Sequence, residues 1–124
     1  MNPSSVLAEV IVDQLIQSGV KEVVVAPGSR NAPITMAFFR AYQAGRVRLH
    51  SRIDERSAAF LALGISKATN SPAVVICTSG SAAANFHPAI IEAHHSAIKL
   101  IAITADRPAR LRRTGSNQTT NQVG

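Results

Sequence analysis

Residues 47–64 read VRLHSRIDERSAAFLALG and contain two patterns in succession. Val47 to His50 is a short β-type run, and an apolar pattern of helical period follows it. Glu55 therefore lies where a strand ends and a helix begins, which in an open parallel sheet is the carboxyl edge that binds ligands. The partial positive charge of the helix N-terminus favours a carboxylate there. A purely structural interpretation is also open, in which Asp54 caps the helix and Glu55 is an ordinary first-turn acid.

The rest of the chain alternates helices and strands in the same way. We predict a helix that carries Val6 to Ile16, and further helices over 32–44, 54–69 and 81–96. Strands are predicted over 22–26, 46–50, 73–77 and 99–103, followed by an irregular segment over 109–124. Pro88 interrupts the last helix and implies a kink or a restart near His87. This order predicts an α/β fold with three layers, α/β/α, around an open parallel sheet of at least four strands.

The strands differ in their polarity pattern, and the pattern indicates their place in the sheet. The second strand alternates basic or polar residues (Arg46, Arg48, His50) with apolar ones, as is typical of a sheet edge. The third strand, Ala73 to Cys77, is continuously apolar, which predicts a central position. The fourth strand is also apolar and has no strand after it. We therefore expect residues 1–124 to be a single domain, truncated near its C-terminal end, that self-associates through an exposed edge or nearby helices.

Composition limits the classes of function. The net charge of +6 is compatible with nucleic acid, but four of the thirteen basic residues crowd into 107–113, and no aromatic residues are interleaved with them. We therefore expect no nucleic-acid partner. A single cysteine, Cys77, argues against a disulfide framework. No apolar run is long enough to span a bilayer, and the N-terminus lacks signal-peptide features, so the sequence predicts a cytoplasmic protein without an integral membrane segment.

A polar cluster follows each predicted strand. The four clusters are Gly28-Ser29-Arg30, Asp54-Glu55-Arg56, Thr78-Ser79-Gly80-Ser81 and Asp106-Arg107-Pro108. Because the carboxyl ends of parallel strands share one rim, the clusters predict a site with an arginine, a carboxylate and backbone N–H donors.

Each cluster taken alone is weak. Ser79-Gly80-Ser81 resembles a phosphate cradle but lacks the lysine of a P-loop, and it also suits a plain helix entry. Arg30 also fits a surface position, Asp106-Arg107 a local pair, and Asn117 and Gln118 ordinary loop amides. The histidines lack cysteine or carboxylate partners at ligand spacing, so no metal site is expected in this chain.

Together the clusters, with Gly115-Ser116-Asn117-Gln118, carry a resemblance to a known family. In this order and spacing they resemble the N-terminal, pyrimidine-binding domain of thiamine diphosphate enzymes. Within that superfamily they are most similar to the synthases of menaquinone biosynthesis that decarboxylate 2-oxoglutarate and add the product to isochorismate. The resemblance covers the chain from about Val6 to Gly124.

The resemblance implies roles for individual residues. Glu55 would be the catalytic acid that hydrogen-bonds the cofactor's pyrimidine ring, with a pKa raised by burial, and Ser79 and Gly80 would also bind the cofactor. The implied substrate-binding residues are Ser29, Arg30, Arg107, Asn117 and Gln118. The diphosphate and its Mg²⁺ would be held by a separate C-terminal domain of a partner subunit in a homodimer, since this chain contains no Gly-Asp-Gly…Asn motif. The chain alone is then expected to be inactive.

Two alternatives remain open from the sequence. The first is another thiamine diphosphate enzyme acting on 2-oxo acids, such as an acetolactate synthase, which would share the glutamate but not the pairing of Ser29-Arg30 with Asp106-Arg107. The second is a non-enzymatic, flavodoxin-like module that binds an anion at the same rim. Glu55 is an unusual residue at a site for a purely anionic ligand, which counts against the second alternative.

Overall fold

The computed structural model describes residues 2–123 and contains one parallel sheet between two layers of helices. The helices are α1 (Pro3–Gln17), α2 (Ala32–Gln43), α3 (Glu55–Thr69), α4 (Ser81–Ala84) and α5 (His87–His95), and the strands are β1 (Glu22–Val25), β2 (Arg48–Ser51), β3 (Ala73–Cys77) and β4 (Leu100–Thr104). None of the helices within 2–123 combines the length and the apolar character needed to cross a membrane. The predicted fold class is confirmed.

The sheet order is β2-β1-β3-β4, and every neighbouring pair is parallel. The second strand lies at an edge and the third in the middle, as their polarity predicted. Among the described residues β4 forms the other edge, and its side chains are only partly covered.

The second strand begins two residues later than predicted. Arg46 donates its backbone N–H to the carbonyl of Ala41 and so still belongs to the turn that ends α2. Val47 is buried in the core but precedes the strand. Pairing with β1 begins at Arg48, whose N–H donates to the carbonyl of Lys21. The apolar alternation therefore extended beyond the residues that form the ladder.

Each face of the sheet has its own apolar core. Helices α1 and α2 cover one face, where Phe38, fully buried, packs with side chains of β1 and β3 such as Val23 and Ile76. Helices α3, α4 and α5 cover the other face, where alanines of α3 approach Val75 and Cys77 closely. The small residues let these helices lie near the sheet, and the N-termini of α3 and α4 lie at its carboxyl edge because each of these helices follows a strand.

The helical segment after β3 is interrupted, as Pro88 predicted. Helix α4 ends at Ala84, and α5 starts at His87 with Pro88 in its first turn. A proline is tolerated there because the first N–H groups of a helix have no intrahelical partner. The segment after β4 is irregular apart from a short 3₁₀ helix, Ala109–Leu111, which the sequence pattern did not predict.

Candidate functional site

Glu55 is the first residue of α3 and is partly buried. The preceding Asp54 caps the helix, because its Oδ1 accepts the N–H of Ser57 at 2.7 Å, so the structural part of the sequence interpretation holds for Asp54. The hydrogen bonds and ion pairs within residues 2–123 do not include the Glu55 carboxylate.

The charge of the Glu55 carboxylate influences the pKa of Cys77, the last residue of β3. Burial raises the pKa of the Cys77 thiol to about 12, and the negative charge of Glu55 adds to this effect. The crossing of α3 over the sheet therefore brings an acid that follows the edge strand β2 to the end of the central strand β3. That leaves a carboxylate without a partner at the middle of the rim.

The turn after β1 is held by Asn31, which is buried. Its Oδ1 accepts the N–H of Gly28 at 2.8 Å, and its Nδ2 donates to the carbonyl of Ala26 at 2.9 Å. A side chain at Gly28 would come within 2.6 Å of the Cβ of Thr78, so only glycine lets this turn pack against the end of β3. The turn presents Ser29 to solvent and directs Arg30 across the rim.

Arg30 joins the ends of β1 and β3 to the C-terminal part of the chain. Its Nη1 donates to Ser79 Oγ at 3.3 Å and also to the side-chain Oε1 of Gln118. Ser79, itself buried, donates its hydroxyl to the carbonyl of Gln118 at 2.7 Å. Three residues predicted from separate motifs are thus in direct contact.

Arg107 holds the same segment from the end of β4. Its guanidinium donates to the backbone carbonyl of Asn117, with an Nε–O distance of 3.1 Å. Asp106 does not pair with the Arg107 side chain. Its Oδ1 accepts the Arg107 backbone N–H at 2.7 Å, and its Oδ2 pairs with Arg112 at 2.9 Å. Asp106 therefore holds the loop, and the Arg107 guanidinium remains directed at the rim.

We call residues 117–122 the strap. Besides Asn117 and Gln118, it is fixed by Gln122, whose side chain binds the backbone of Gly80 and of Ala105. Two clefts of about 480 Å³ each share Thr120, Asn121 and Gln122 as lining residues. One cleft extends to Arg112 and Arg113, and the other to α4 and His87.

The structure thus gathers most, but not all, of the predicted residues. One contact network contains Arg30, Ser79, Gly80, Arg107, Asn117 and Gln118. Ser29 is exposed and Glu55 is partly buried, and neither takes part in the hydrogen bonds of this network. No group of three or more His, Cys, Asp or Glu side chains within residues 2–123 could hold a metal ion.

Two residues that shape the site were not singled out from the sequence. Asn31 had a usable signal, because an asparagine in a turn, as in Gly28-Ser29-Arg30-Asn31, often hydrogen-bonds to nearby backbone. Gln122 had none, since it is one of several polar residues in a segment without periodicity. Its importance comes from contacts with residues 42 and 17 positions away in the chain.

The open parallel sheet, with a glutamate at its carboxyl rim that has no hydrogen-bond partner within residues 2–123, is compatible with an N-terminal domain of the thiamine diphosphate enzymes. The chain belongs to this family, since the family model described as "Thiamine pyrophosphate enzyme, N-terminal TPP binding domain" matches residues 6–124. The resemblance noted in the sequence is confirmed at this level.

Individual relatives narrow the similarity to one kind of enzyme. The chain is 61% identical over 122 residues to the 2-succinyl-5-enolpyruvyl-6-hydroxy-3-cyclohexene-1-carboxylate synthase of Saccharopolyspora erythraea, a match covering 98% of this chain and 22% of that protein. It is 55% identical to the synthase of the same name from Thermobifida fusca over 100% of this chain and 22% of that protein. The corresponding synthase of Mycobacteroides abscessus is 52% identical over 100% of this chain and 23% of its own length. The chain therefore spans less than a quarter of these relatives.

Proposed function

We propose that this chain is the N-terminal domain of a thiamine diphosphate-dependent transferase of menaquinone biosynthesis. The complete enzyme decarboxylates 2-oxoglutarate and adds the remaining four-carbon unit to isochorismate. The name of the relatives supports this proposal, because a succinyl group on an enolpyruvyl-hydroxycyclohexene carboxylate is the expected product of that addition. Atoms balance, since the C1 carboxylate of 2-oxoglutarate leaves as CO₂ and C2 to C5 form the succinyl unit.

The observation that carries the proposal is the placement of Arg30 and Arg107 at one rim, each bound to the strap. Both proposed substrates carry two carboxylates. Guanidinium groups bind carboxylates through short, charge-assisted hydrogen bonds, and two of them fix the orientation of a dicarboxylate. In the structure the side-chain oxygen of Gln118 and the backbone oxygen of Asn117 accept hydrogen bonds from Arg30 and Arg107. A substrate carboxylate would replace or join these neutral oxygens.

The residues at the rim also fit the pyrimidine half of thiamine diphosphate. Glu55 offers a carboxyl without a partner among residues 2–123, which suits a ring nitrogen that shares a proton with it. The hydroxyl of Thr78, the residue after Cys77, is buried and has no hydrogen-bond partner in the described part of the chain. A buried polar group of this kind is costly unless a ligand satisfies it.

The work is divided between the cofactor and this chain. When bound, thiamine diphosphate supplies the electron sink that lets CO₂ leave a 2-oxo acid. Glu55 would hold a proton between its carboxyl oxygen and the ring nitrogen, and the arginines would orient the substrates. Ser79 and Gly80 already hydrogen-bond to the strap, so their direct contact with the cofactor stays a prediction.

Further parts of the proposal concern the complete protein. We place Mg²⁺ and the diphosphate on a second domain outside this chain, contributed by the other subunit of a homodimer. We also place the enzyme in the cytoplasm, in keeping with a single cysteine that is free and buried. The chain alone should then release no CO₂ from 2-oxoglutarate, and it should self-associate in light scattering at high concentration. CO₂ release by the pure chain, or a strictly monomeric chain, would contradict these statements.

The decisive experiment compares the full-length protein with its Glu55→Gln variant for CO₂ release from 2-oxoglutarate, with thiamine diphosphate, Mg²⁺ and isochorismate present. We expect Glu55→Gln to lose at least about 100-fold in kcat, the usual size of an acid–base contribution. Glu92→Gln is the matched control, because Glu92 lies on α5 and its carboxylate contacts only the hydroxyl of Ser96 among the described residues. If Glu55→Gln keeps the activity of Glu92→Gln, Glu55 is merely a helix-start acid.

The same assay separates the proposal from its alternatives. An acetolactate synthase-like enzyme would prefer pyruvate to 2-oxoglutarate and would not need isochorismate. A non-enzymatic flavodoxin-like module would release CO₂ from neither acid. The match to the thiamine diphosphate enzyme family favours an enzyme over the non-enzymatic module.

A further inference from the structure

Gln122 connects two parts of the rim with one side chain. Its Oε1 accepts the backbone N–H of Gly80 at 2.9 Å, and its Nε2 donates to the backbone carbonyl of Ala105 at 3.0 Å. Gly80 follows β3 and Ala105 follows β4, and both hydrogen bonds are partly buried. The Gln122 amide therefore closes the gap between the carboxyl ends of two neighbouring strands.

We call these two hydrogen bonds of Gln122 the bridge, and they require both the oxygen acceptor and the N–H donor of an amide side chain. The Gly80 N–H precedes the first turn of α4 and has no acceptor within the helix, while the Ala105 carbonyl lies just beyond the β4 ladder. A carboxylate can accept from Gly80 but cannot donate to Ala105, and an aliphatic side chain does neither. Either replacement leaves at least one partly buried backbone group without a partner, which is unfavourable.

The bridge also determines where the strap lies. Gln118 has a left-handed backbone conformation, with φ of +54°, which a non-glycine residue adopts only when its surroundings enforce it. Its carbonyl accepts from Ser79, and its side chain reaches Arg30. With Gln122 fixed four residues further on, the strap is held at both ends and Gln118 is kept against the arginine.

We propose that Gln122 is a positioning residue that sets the strap so that Gln118 and Arg30 meet in the geometry that receives a substrate carboxylate. Gln122 acts through Gln118 and does not itself have to contact the substrate. This inference rests on the proposed function for the identity of the substrate. The arrangement of the strap itself does not depend on it.

The test uses the full-length protein and four variants: Gln122→Met, Gln122→Glu, Gln118→Ala and the double variant with Gln118→Ala and Gln122→Met. Asn121→Met is the matched control, because Asn121 is the exposed neighbour. We expect Gln122→Met to raise the KM for 2-oxoglutarate at least about tenfold, because a strap released from Gly80 and Ala105 must be ordered again when the substrate binds, with a smaller change in kcat. Gln122→Glu should have a smaller effect than Gln122→Met, because it keeps an acceptor for Gly80 and loses only the donor to Ala105.

The double variant distinguishes positioning from a general loss of stability. If Gln122 acts through Gln118, the Met substitution should raise KM by less than about twofold once Gln118 is already alanine, because residues of one network are not additive. Equal effects of Gln122→Met in the two backgrounds would overturn the proposal. So would an Asn121→Met variant that behaves like Gln122→Met.

A second measurement does not depend on catalysis. Hydrogen exchange of the same proteins without substrate should be at least about tenfold faster in Gln122→Met than in Asn121→Met, at the Gly80 amide and in segment 115–123, because that segment loses its attachment. Unchanged exchange overturns the role of Gln122 even if the enzyme is active. Faster exchange in a protein that does not decarboxylate 2-oxoglutarate would support the bridge and refute the proposed function instead.

Discussion

Replacement of Gly80 by alanine tests how tightly the strap packs on the rim. Gly80 has φ of +83° and ψ of −141°, a backbone conformation that only glycine adopts readily. A Cβ at this position would lie 2.9 Å from the carbonyl carbon of Gln118, 3.0 Å from its Cα and 3.1 Å from its oxygen. The substitution therefore meets two separate costs, one from the local backbone and one from the strap.

The two costs have different sizes and different controls. A side chain at φ of +83° and ψ of −141°, a region essentially restricted to glycine, costs about 1–3 kcal/mol. The overlap involves backbone atoms, so the strap must shift and weaken the hydrogen bonds that Ser79 and Gly80 donate to it, each worth about 0.5–1.5 kcal/mol. We therefore expect Gly80→Ala to lower the free energy of unfolding by about 2–6 kcal/mol. The expected loss exceeds the backbone cost by the contribution of the strap.

Two other glycines separate these contributions. Gly45 has φ of +70°, but a Cβ there would meet no atom within 4 Å, so Gly45→Ala should show the cost of a positive φ without any steric overlap. Gly64 lies exposed within α3 with no atom within 4 Å of a Cβ, and Gly64→Ala should stabilise by about 0.5–1 kcal/mol. Urea denaturation of the three variants and the unsubstituted protein gives the change in the free energy of unfolding for each, provided that their m-values are equal. If Gly80→Ala is no more destabilising than Gly45→Ala, the strap does not press on the rim as described.

Two further predictions concern titratable groups in the core. Glu22 is buried, which opposes its ionisation, but hydrogen bonds from Arg48 and His50 outweigh burial and lower the pKa of Glu22 below its usual 4.5. The ionised pair therefore stabilises the fold fully above about pH 4.5, and this contribution is lost as the pH falls through the lowered pKa. Glu22→Gln should reduce the free energy of unfolding by about 1–2 kcal/mol at pH 7 and by less at pH 3, and an equal effect at both values would contradict the ion pair. Cys77, with its pKa raised to about 12, should react with iodoacetamide at pH 8 at least ~100-fold more slowly in the folded chain than in urea. Rapid labelling of the folded chain would show that the end of β3 opens to solvent.

The sequence predicted the layers of this fold because its signals are local. The continuous apolar run of β3 and the alternation of β2 report how many faces of each strand are covered. Pro88 correctly indicated a new helix start. The predicted start of β2 was less accurate, because Val47 is apolar and buried in the core but precedes the first residue that pairs with β1.

The site could be predicted in part for a related reason. Parallel topology brings the residues after each strand to one rim, so Arg30, Glu55, Ser79 and Arg107 could be grouped from the order of the elements alone. The cap formed by Asp54 was predictable as well, because it involves a residue only three positions away. Order along the chain, however, does not determine which of these side chains touch.

By itself, then, the sequence determined the α/β class, the parallel sheet, the rim and the family of this protein, since each depends on residue types at short or regular spacing. Tertiary structure alone decided that Arg30 meets Gln118, that Asp106 pairs with Arg112, and that Glu55 lies near Cys77. It also decided that Gln122, in a segment without periodicity, bridges Gly80 and Ala105. These contacts join residues far apart in the chain, and their partners are selected by the packing of the strap and of α3 against the sheet, which no local pattern encodes.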